Sequence, residues 1–220
     1  MKYPKINTIW KRDEKTGKII EGDFSKPEFA IINQWLITEK IDGTNIRVSF
    51  SATMKDGKKT GVIQFDGRTY EAQIPAHLVA ALQKTFTVQL FEEVFSEKGL
   101  PDYIILFGEG YGAKIQKGGG LYRDDVGFIL FDVFVETEGK GWWLDRNNVE
   151  EIAGKFNIPV VPVEAIGTWQ DAVKLVKNTH ASAVSKYPKV AEGVVCRSYP
   201  LLLFRNGDPV MFKLKVRDFD

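Results

Sequence analysis

Two runs in the chain, Tyr103 to Phe107 (YIILF) and Phe128 to Val135 (FILFDVFV), are almost wholly apolar, β-branched and aromatic. Short runs of this kind fit buried strands. Strand-like stretches recur elsewhere in clusters. Asn45 to Phe50 alternates, with Ile46, Val48 and Phe50 on one face, the 56–59 segment DGKK reads as a turn, and Val62 to Phe65 follows as a second strand. Asp13 to Gly17 predicts a turn between short extended pieces, and Asn206-Gly207, between VVCRSY and MFKLKV, is the strongest hairpin signal. Helical spacing covers 76–97 through Leu78, Leu82, Phe91, Val94 and Phe95, until Gly99-Leu100-Pro101 stops it. Asp145 to Phe156 reads as an amphipathic helix, and Thr168 with Asp171 has the spacing of a capping box. No regular βαβ alternation is visible. The expected class is therefore α+β, antiparallel sheets flanked by helices, rather than a doubly wound parallel fold. No Pro-, Gly- or Ser-rich linker divides the chain, so a single domain over 1–220 is expected.

Composition removes several function classes. The 30 basic and 29 acidic residues nearly cancel, which argues against a globally basic nucleic-acid-binding surface but leaves room for a local positive groove. A single cysteine, Cys196, cannot form an intramolecular disulfide, and without a neighbouring His in sequence it reads as a packed core residue. His77 and His180 are isolated and read as ordinary helix residues rather than metal ligands. No apolar run approaches the ~20 residues that cross a bilayer. A cytoplasmic, monomeric protein without a membrane association is the expectation.

The segment 38–45, TEKIDGTN, raises a sharper question. A lysine attacks phosphorus or carbonyl carbon only when deprotonated, and an unperturbed lysine has a pKa of about 10.4. Burial and neighbouring cations lower such values, which is how enzymes obtain lysine nucleophiles. Asp42-Gly43 after Lys40 would make a tight turn that lets backbone approach a bulky ligand. Alone, Lys-x-Asp-Gly arises by chance in about one chain in twenty of this length.

It has company. KIDG resembles motif I of the covalent nucleotidyltransferases, the ATP-dependent DNA and RNA ligases and the mRNA capping enzymes. Phe107 to Gly112 (FGEGYG) resembles motif III, Phe131 to Phe134 (FDVF) motif IIIa, Glu192 to Val195 (EGVV) motif IV, and Lys213-Leu214-Lys215 motif V. Gly67-Arg68-Thr69 resembles motif Ia. Read singly, Glu109 and Glu192 are strand-end carboxylates and Lys213 with Lys215 a solvated sheet face. Read together, they stand in the family's order from Lys40 to Lys215. Asn45, where DNA ligases usually carry arginine, and the stretch GYGAKIQKGGGLY resemble RNA ligases similar to phage T4 RNA ligase 2.

The resemblance implies an ATP-grasp-like nucleotidyltransferase domain and an ATP-dependent RNA ligase acting through a covalent lysyl-AMP. Lys40 would be the nucleophile, with Glu192, Lys213 and Lys215 completing the catalytic set and Glu192 serving Mg²⁺ (or Mn²⁺). Glu39, Ile41, Asn45, Glu109 and Phe131 would contact the nucleotide. Glu109 would hold the ribose and Phe131 would stack on the purine. Arg68, Asn45, Lys114 and Lys117 would meet RNA carrying 5′-phosphate and 3′-hydroxyl ends, with DNA or hybrid strands as the alternative partner. An inactive RNA-end-binding module is the reading from another class, and a capping guanylyltransferase a third. Motif V lies five residues before Asp220, so the expectation is a domain without the appended OB-fold or helical domain of relatives.

Overall fold

Alternation along 44–50 decides which residues the larger half of the molecule buries. In the computed structural model, which describes residues 1–55, 58–69, 71–96 and 99–219, Ile46, Val48 and Phe50 are all fully buried on one face of a strand. The chain forms two compact units, each discontinuous in sequence: Met1–Tyr3 with Asp42–Val160, and Pro4–Ile41 with Val161–Asp220.

The smaller unit takes β1 (Asn7–Thr8), β2 (Trp10–Arg12), β3 (Ile19–Phe24), α1 (Glu28–Ile31) and β4 (Trp35–Glu39) from the first part of the chain. The larger unit follows with β5 (Thr44–Lys55), β6 (Lys58–Asp66), α2 (Ala76–Thr85), α3 (Val88–Phe95), β7 (Tyr103–Gly112), β8 (Val126–Thr137), β9 (Lys140–Trp143) and α4 (Arg146–Lys155). The chain then returns to the smaller unit with β10 (Val163–Gly167), α5 (Trp169–Lys177), β11 (Gly193–Ser198) and β12 (Met211–Lys215).

The larger unit is a five-stranded antiparallel sheet, β6-β5-β7-β8-β9. Alternate residues of β5, β7 and β8 join Leu78, Leu82, Phe91, Val149 and Phe156 of the helices in one core. The opposite face carries Asn45, Arg47, Phe107 and Glu109, as the two-residue period of strands requires. The expected single helical run over 76–97 is interrupted. Phe86 takes an extended conformation with its ring buried against Phe91, Phe128 and Phe156. Thr87 then caps the second helix by accepting a hydrogen bond from the Leu90 amide. Aromatic burial, together with that cap, outweighs helix continuity here.

The smaller unit is a five-stranded sheet, β1-β12-β11-β4-β10, beside the β2–β3 hairpin. All its pairings are antiparallel except β1 with β12. Helix α5 packs Ala172 and Val176 against Val194, Cys196, Phe212 and Leu214. That packing sends the alternate residues of β12, Lys213 and Lys215, to the other face. Cys196 is fully buried, and burial pushes its thiol pKa up, in keeping with a core role. The capping box of α5 forms as expected, Thr168 Oγ1 accepting from the Asp171 amide and the Asp171 carboxylate from the Thr168 amide. His180 corrects the sequence reading: α5 ends at Lys177, and Thr179 at φ 45° turns the chain out of the helix before it. Its Nε2 stands 3.8 Å from Glu164. The expected turn at 56–59 falls partly on 56–57, outside the described residues. Around Asn206-Gly207 the chain does turn, with Gly207 N–H donating to Phe204 O and Leu203 bridging Pro209. Among the described residues, no helix is long and apolar enough to cross a membrane.

Candidate active site

Lys40 follows the last residue of β4, a strand buried along its whole length, and its own amide donates to Gly193 O at 2.9 Å. That bond ties the start of β11 to the position of the lysine. Glu192 immediately precedes β11 and receives Lys40 Nζ on Oε2 at 2.6 Å and Lys215 Nζ on Oε1, also at 2.6 Å. One carboxylate thus holds two ammonium groups, all three side chains being 16–20% exposed. Burial pushes the Glu192 carboxyl pKa up, but Lys40 and Lys215 outweigh it and hold the group below its ordinary value. Lys213 is half-buried two residues before Lys215, on the same face of β12, so two amines meet the carboxylate and a third lysine shares their strand face. This excess of positive charge, partly withdrawn from water, suits a phosphate group.

Gly193 sits at φ 151°, where a Cβ would stand 2.1 Å from Leu214 O. Close strand approach therefore demands glycine in the sequence EGVV. Glu39 is 1% exposed, and its carboxylate accepts from the Ser182 hydroxyl and from the Ala183 amide at 2.9 Å. The Glu39 side chain is thus engaged inside the protein, and Ile41 is buried beside it.

The larger unit presents its own set of expected residues. Asn45 stands opposite Glu109 in the β5–β7 register, and its Oδ1 is buried without a hydrogen-bond partner among the described residues. Such an orphaned acceptor marks a place where a polar ligand group would be satisfied. Phe131 is the extra residue of a β-bulge, since Phe107 pairs with Asp132 and Gly108 with Leu130. The bulge takes Phe131 out of the core cluster and leaves it half-buried, with its ring 4.9 Å from that of Tyr3. Arg68 is exposed just past the end of β6, and Lys114 (φ 63°) and Lys117 are exposed on the loop after β7.

The Asp42-Gly43 turn is held by that same loop. Tyr122 Oη accepts from the Asp42 amide at 3.1 Å, and Gln116 Nε2 donates to Gly43 O at 3.0 Å. A Cβ on Gly43 would meet Gly110 O at 2.3 Å and Glu109 Cγ at 2.7 Å. What requires glycine here is contact with the FGEGYG strand rather than the approach of a ligand. Sequence reasoning missed Tyr122, Ser182 and Arg47. The last is 2% exposed and donates to Gly67 O and Met1 O, buttressing the turn that carries Arg68. Tyr122 closes the stretch GYGAKIQKGGGLY but carried no role there, and nothing local marks Ser182 and Arg47, whose partners lie 20 to 143 residues away.

The metal expectation can be tested on the donors. Among the described residues no group of three or more His, Cys, Asp or Glu side chains forms a metal cage. A single partly exposed carboxylate, Glu192, fits instead a hard cation that keeps its waters and shares the substrate's phosphates.

Several solved structures resemble the whole chain. A point mutant of the Naegleria gruberi RNA ligase with ATP and Mn matches at TM-score 0.60 and 18% identity, over 97% of this chain and 56% of that one. The Naegleria gruberi RNA ligase with PPi matches at TM-score 0.59 and 19% identity, over 98% and 62%. An archaeal ATP-dependent RNA ligase matches at TM-score 0.57 and 13% identity, over 99% and 48%. At these identities the likeness shows a shared fold, and the chain spans only about half to three-fifths of those proteins. No curated protein matches the chain. The RNA ligase family model matches residues 33–215, which takes in every motif from Lys40 to Lys215, and the chain belongs to that family.

Proposed function

We propose that this protein is an ATP-dependent RNA ligase that seals 5′-phosphate and 3′-hydroxyl ends through a lysyl-AMP on Lys40, on an ATP-grasp-like nucleotidyltransferase domain. The observation that carries the reading is the Lys40–Glu192–Lys215 arrangement, one carboxylate held at 2.6 Å by two amines 175 positions apart in the chain.

In the arrangement seen, Lys40 Nζ is engaged with Glu192 Oε2. Attack on the α-phosphorus of ATP requires Nζ to leave the carboxylate and lose a proton. A bond from Nζ to phosphorus then forms as the bond to pyrophosphate breaks. Lys213 and Lys215 neutralise the charge that develops on the phosphoryl oxygens. Glu192, with the nucleotide's phosphates and water, would hold Mg²⁺ or Mn²⁺, which supplies further charge neutralisation when bound. Asn45 and Glu109 hold the sugar side of the nucleotide in this reading, and Phe131 stacks on the purine. Glu39 and Ile41 contribute backbone contacts, since the Glu39 carboxylate is engaged with Ser182. Arg68, Lys114 and Lys117 are exposed cations suited to the RNA strand, which receives AMP on its 5′-phosphate before a 3′-hydroxyl displaces it. The related proteins solved with ATP, AMP and Mn support the choice of nucleotide and of a divalent metal.

The test is incubation with α-³²P-labelled ATP and Mg²⁺, wild type beside Lys40→Ala, followed by a denaturing gel. A label on the wild type that is absent from the variant supports the reading. A wild type that takes no label and carries no AMP by mass spectrometry overturns it, and favours a module that binds RNA ends without joining them.

A further inference from the structure

Between Asp171 and Glu192 the chain carries four lysines, one histidine and no acidic residue. The second half of that stretch is not a loose loop. Ala181 bridges Val190, Ser182 N–H donates to Lys189 O at 2.8 Å, and Ala191 N–H donates to His180 O at 2.9 Å, closing a hairpin over 181–190. Its foot is fastened to Glu39, the residue before Lys40, through the Ser182 hydroxyl and the Ala183 amide. Its outgoing end runs directly into Glu192. The tip is the sequence Ser185-Lys186-Tyr187-Pro188-Lys189. Tyr187 is 42% exposed there, and Lys186 Nζ sits 5.1 Å from its ring centre. The carboxylates at the foot, Glu39 and Glu164, are buried or mostly so.

We infer that the 181–190 hairpin is a nucleic-acid-binding element that takes a single RNA strand beside the Lys40 centre. Tyr187 offers a face on which a base stacks, Lys186 and Lys189 neutralise the flanking phosphates, and Pro188 stiffens the tip between them. A stacking aromatic between two cations is the combination that binds single strands with little sequence preference. Anchorage to Glu39 and Glu192 gives the hairpin a fixed offset from the residues that hold the phosphate. The inference rests on the ligase reading for the identity of the strand, and its test reads binding and chemistry separately.

The test is fluorescence anisotropy of a labelled single-stranded RNA with a 5′-phosphate, titrated with wild type, Tyr187→Ala, Tyr187→Phe and Lys186→Ala/Lys189→Ala over a series of salt concentrations. Label transfer from α-³²P-ATP is measured on the same proteins without RNA. Tyr187→Ala is expected to weaken RNA binding by about 5- to 100-fold, the range for loss of one stacked base. Tyr187→Phe should restore most of it. The double lysine variant should lower the salt slope by about 1 to 1.5, as expected for two phosphate contacts on a single strand. Label transfer should proceed in all four proteins. RNA affinities and salt slopes within about twofold of wild type would overturn the inference. So would parallel losses of RNA binding and label transfer, which would mean that the hairpin acts through Glu39 and Glu192. A wild type that takes no label sinks the ligase reading alone, because the affinity comparison still decides the role of the hairpin.

Discussion

Lys40 and Glu192 form a 2.6 Å ion pair across 152 positions of sequence, and the same carboxylate closes on Lys215 from its other oxygen. The proposed nucleophile, its anion and the proposed phosphate-binding cation thus form one connected group. Replacing the carboxylate leaves two cations facing each other. Glu192→Gln is expected to lose about 1–3 kcal/mol of stability, the scale of hydrogen bonds to charged groups in a partly buried site. Urea unfolding would measure that loss, and label transfer from ATP should fall by at least about tenfold. A variant as stable and active as wild type would remove the pair from any role.

The same group has a pH signature. Two cations hold the Glu192 carboxyl below its ordinary value of 4.5 in the folded protein. The folded state therefore binds its proton less readily than the unfolded chain does. The stability it contributes is complete above the unfolded value and drains away as pH falls through the lowered folded value. The difference in unfolding free energy between wild type and Glu192→Gln should be flat from neutral pH down to about 5.5 and shrink below about 4. A difference that grew on acidification would contradict the assignment.

Gly43 has no room for a side chain. Gly43→Ala would drive a methyl group into Gly110 O and Glu109 Cγ, and the turn after Lys40 would have to move. We expect a stability loss of about 1–3 kcal/mol, as for overpacked sites. Adenylylation should fall more steeply than stability alone explains, because Lys40 is three residues away. Circular dichroism melts beside the labelling assay would separate the two effects.

Tyr122 bears on the same turn from outside it. Tyr122→Phe keeps the buried ring and removes the oxygen that accepts from the Asp42 amide. The unpaired amide should cost about 1–3 kcal/mol in denaturant unfolding. A loss under about 0.3 kcal/mol would mean that water replaces the hydroxyl.

Phe131 should reveal itself in binding rather than in folding. It lies outside the core cluster, so Phe131→Ala should change the melting temperature little. It should raise the KM for ATP in label transfer by about 5- to 100-fold if the ring stacks on the purine. An unchanged KM would remove Phe131 from the nucleotide site and leave it a partner of Tyr3 alone.

The sequence by itself determined the strands, through the alternation of Ile46, Val48 and Phe50 and the runs YIILF and FILFDVFV. It also determined the capping box of α5 and the order of motifs from Lys40 to Lys215. The strands and the cap depend on residues within a few positions of one another, and local periodicity carries them; the motif order was legible only through its resemblance to a known family. The tertiary structure alone decided that Glu192 pairs with both Lys40 and Lys215, because that meeting depends on β11 lying between β4 and β12. It decided that a bulge turns Phe131 out of the core, that Phe86 breaks a helix, and that Glu39 spends its carboxylate on Ser182. Each of these balances burial and hydrogen bonding among groups far apart in the chain. Such a balance has no period and leaves no mark on any single stretch of sequence.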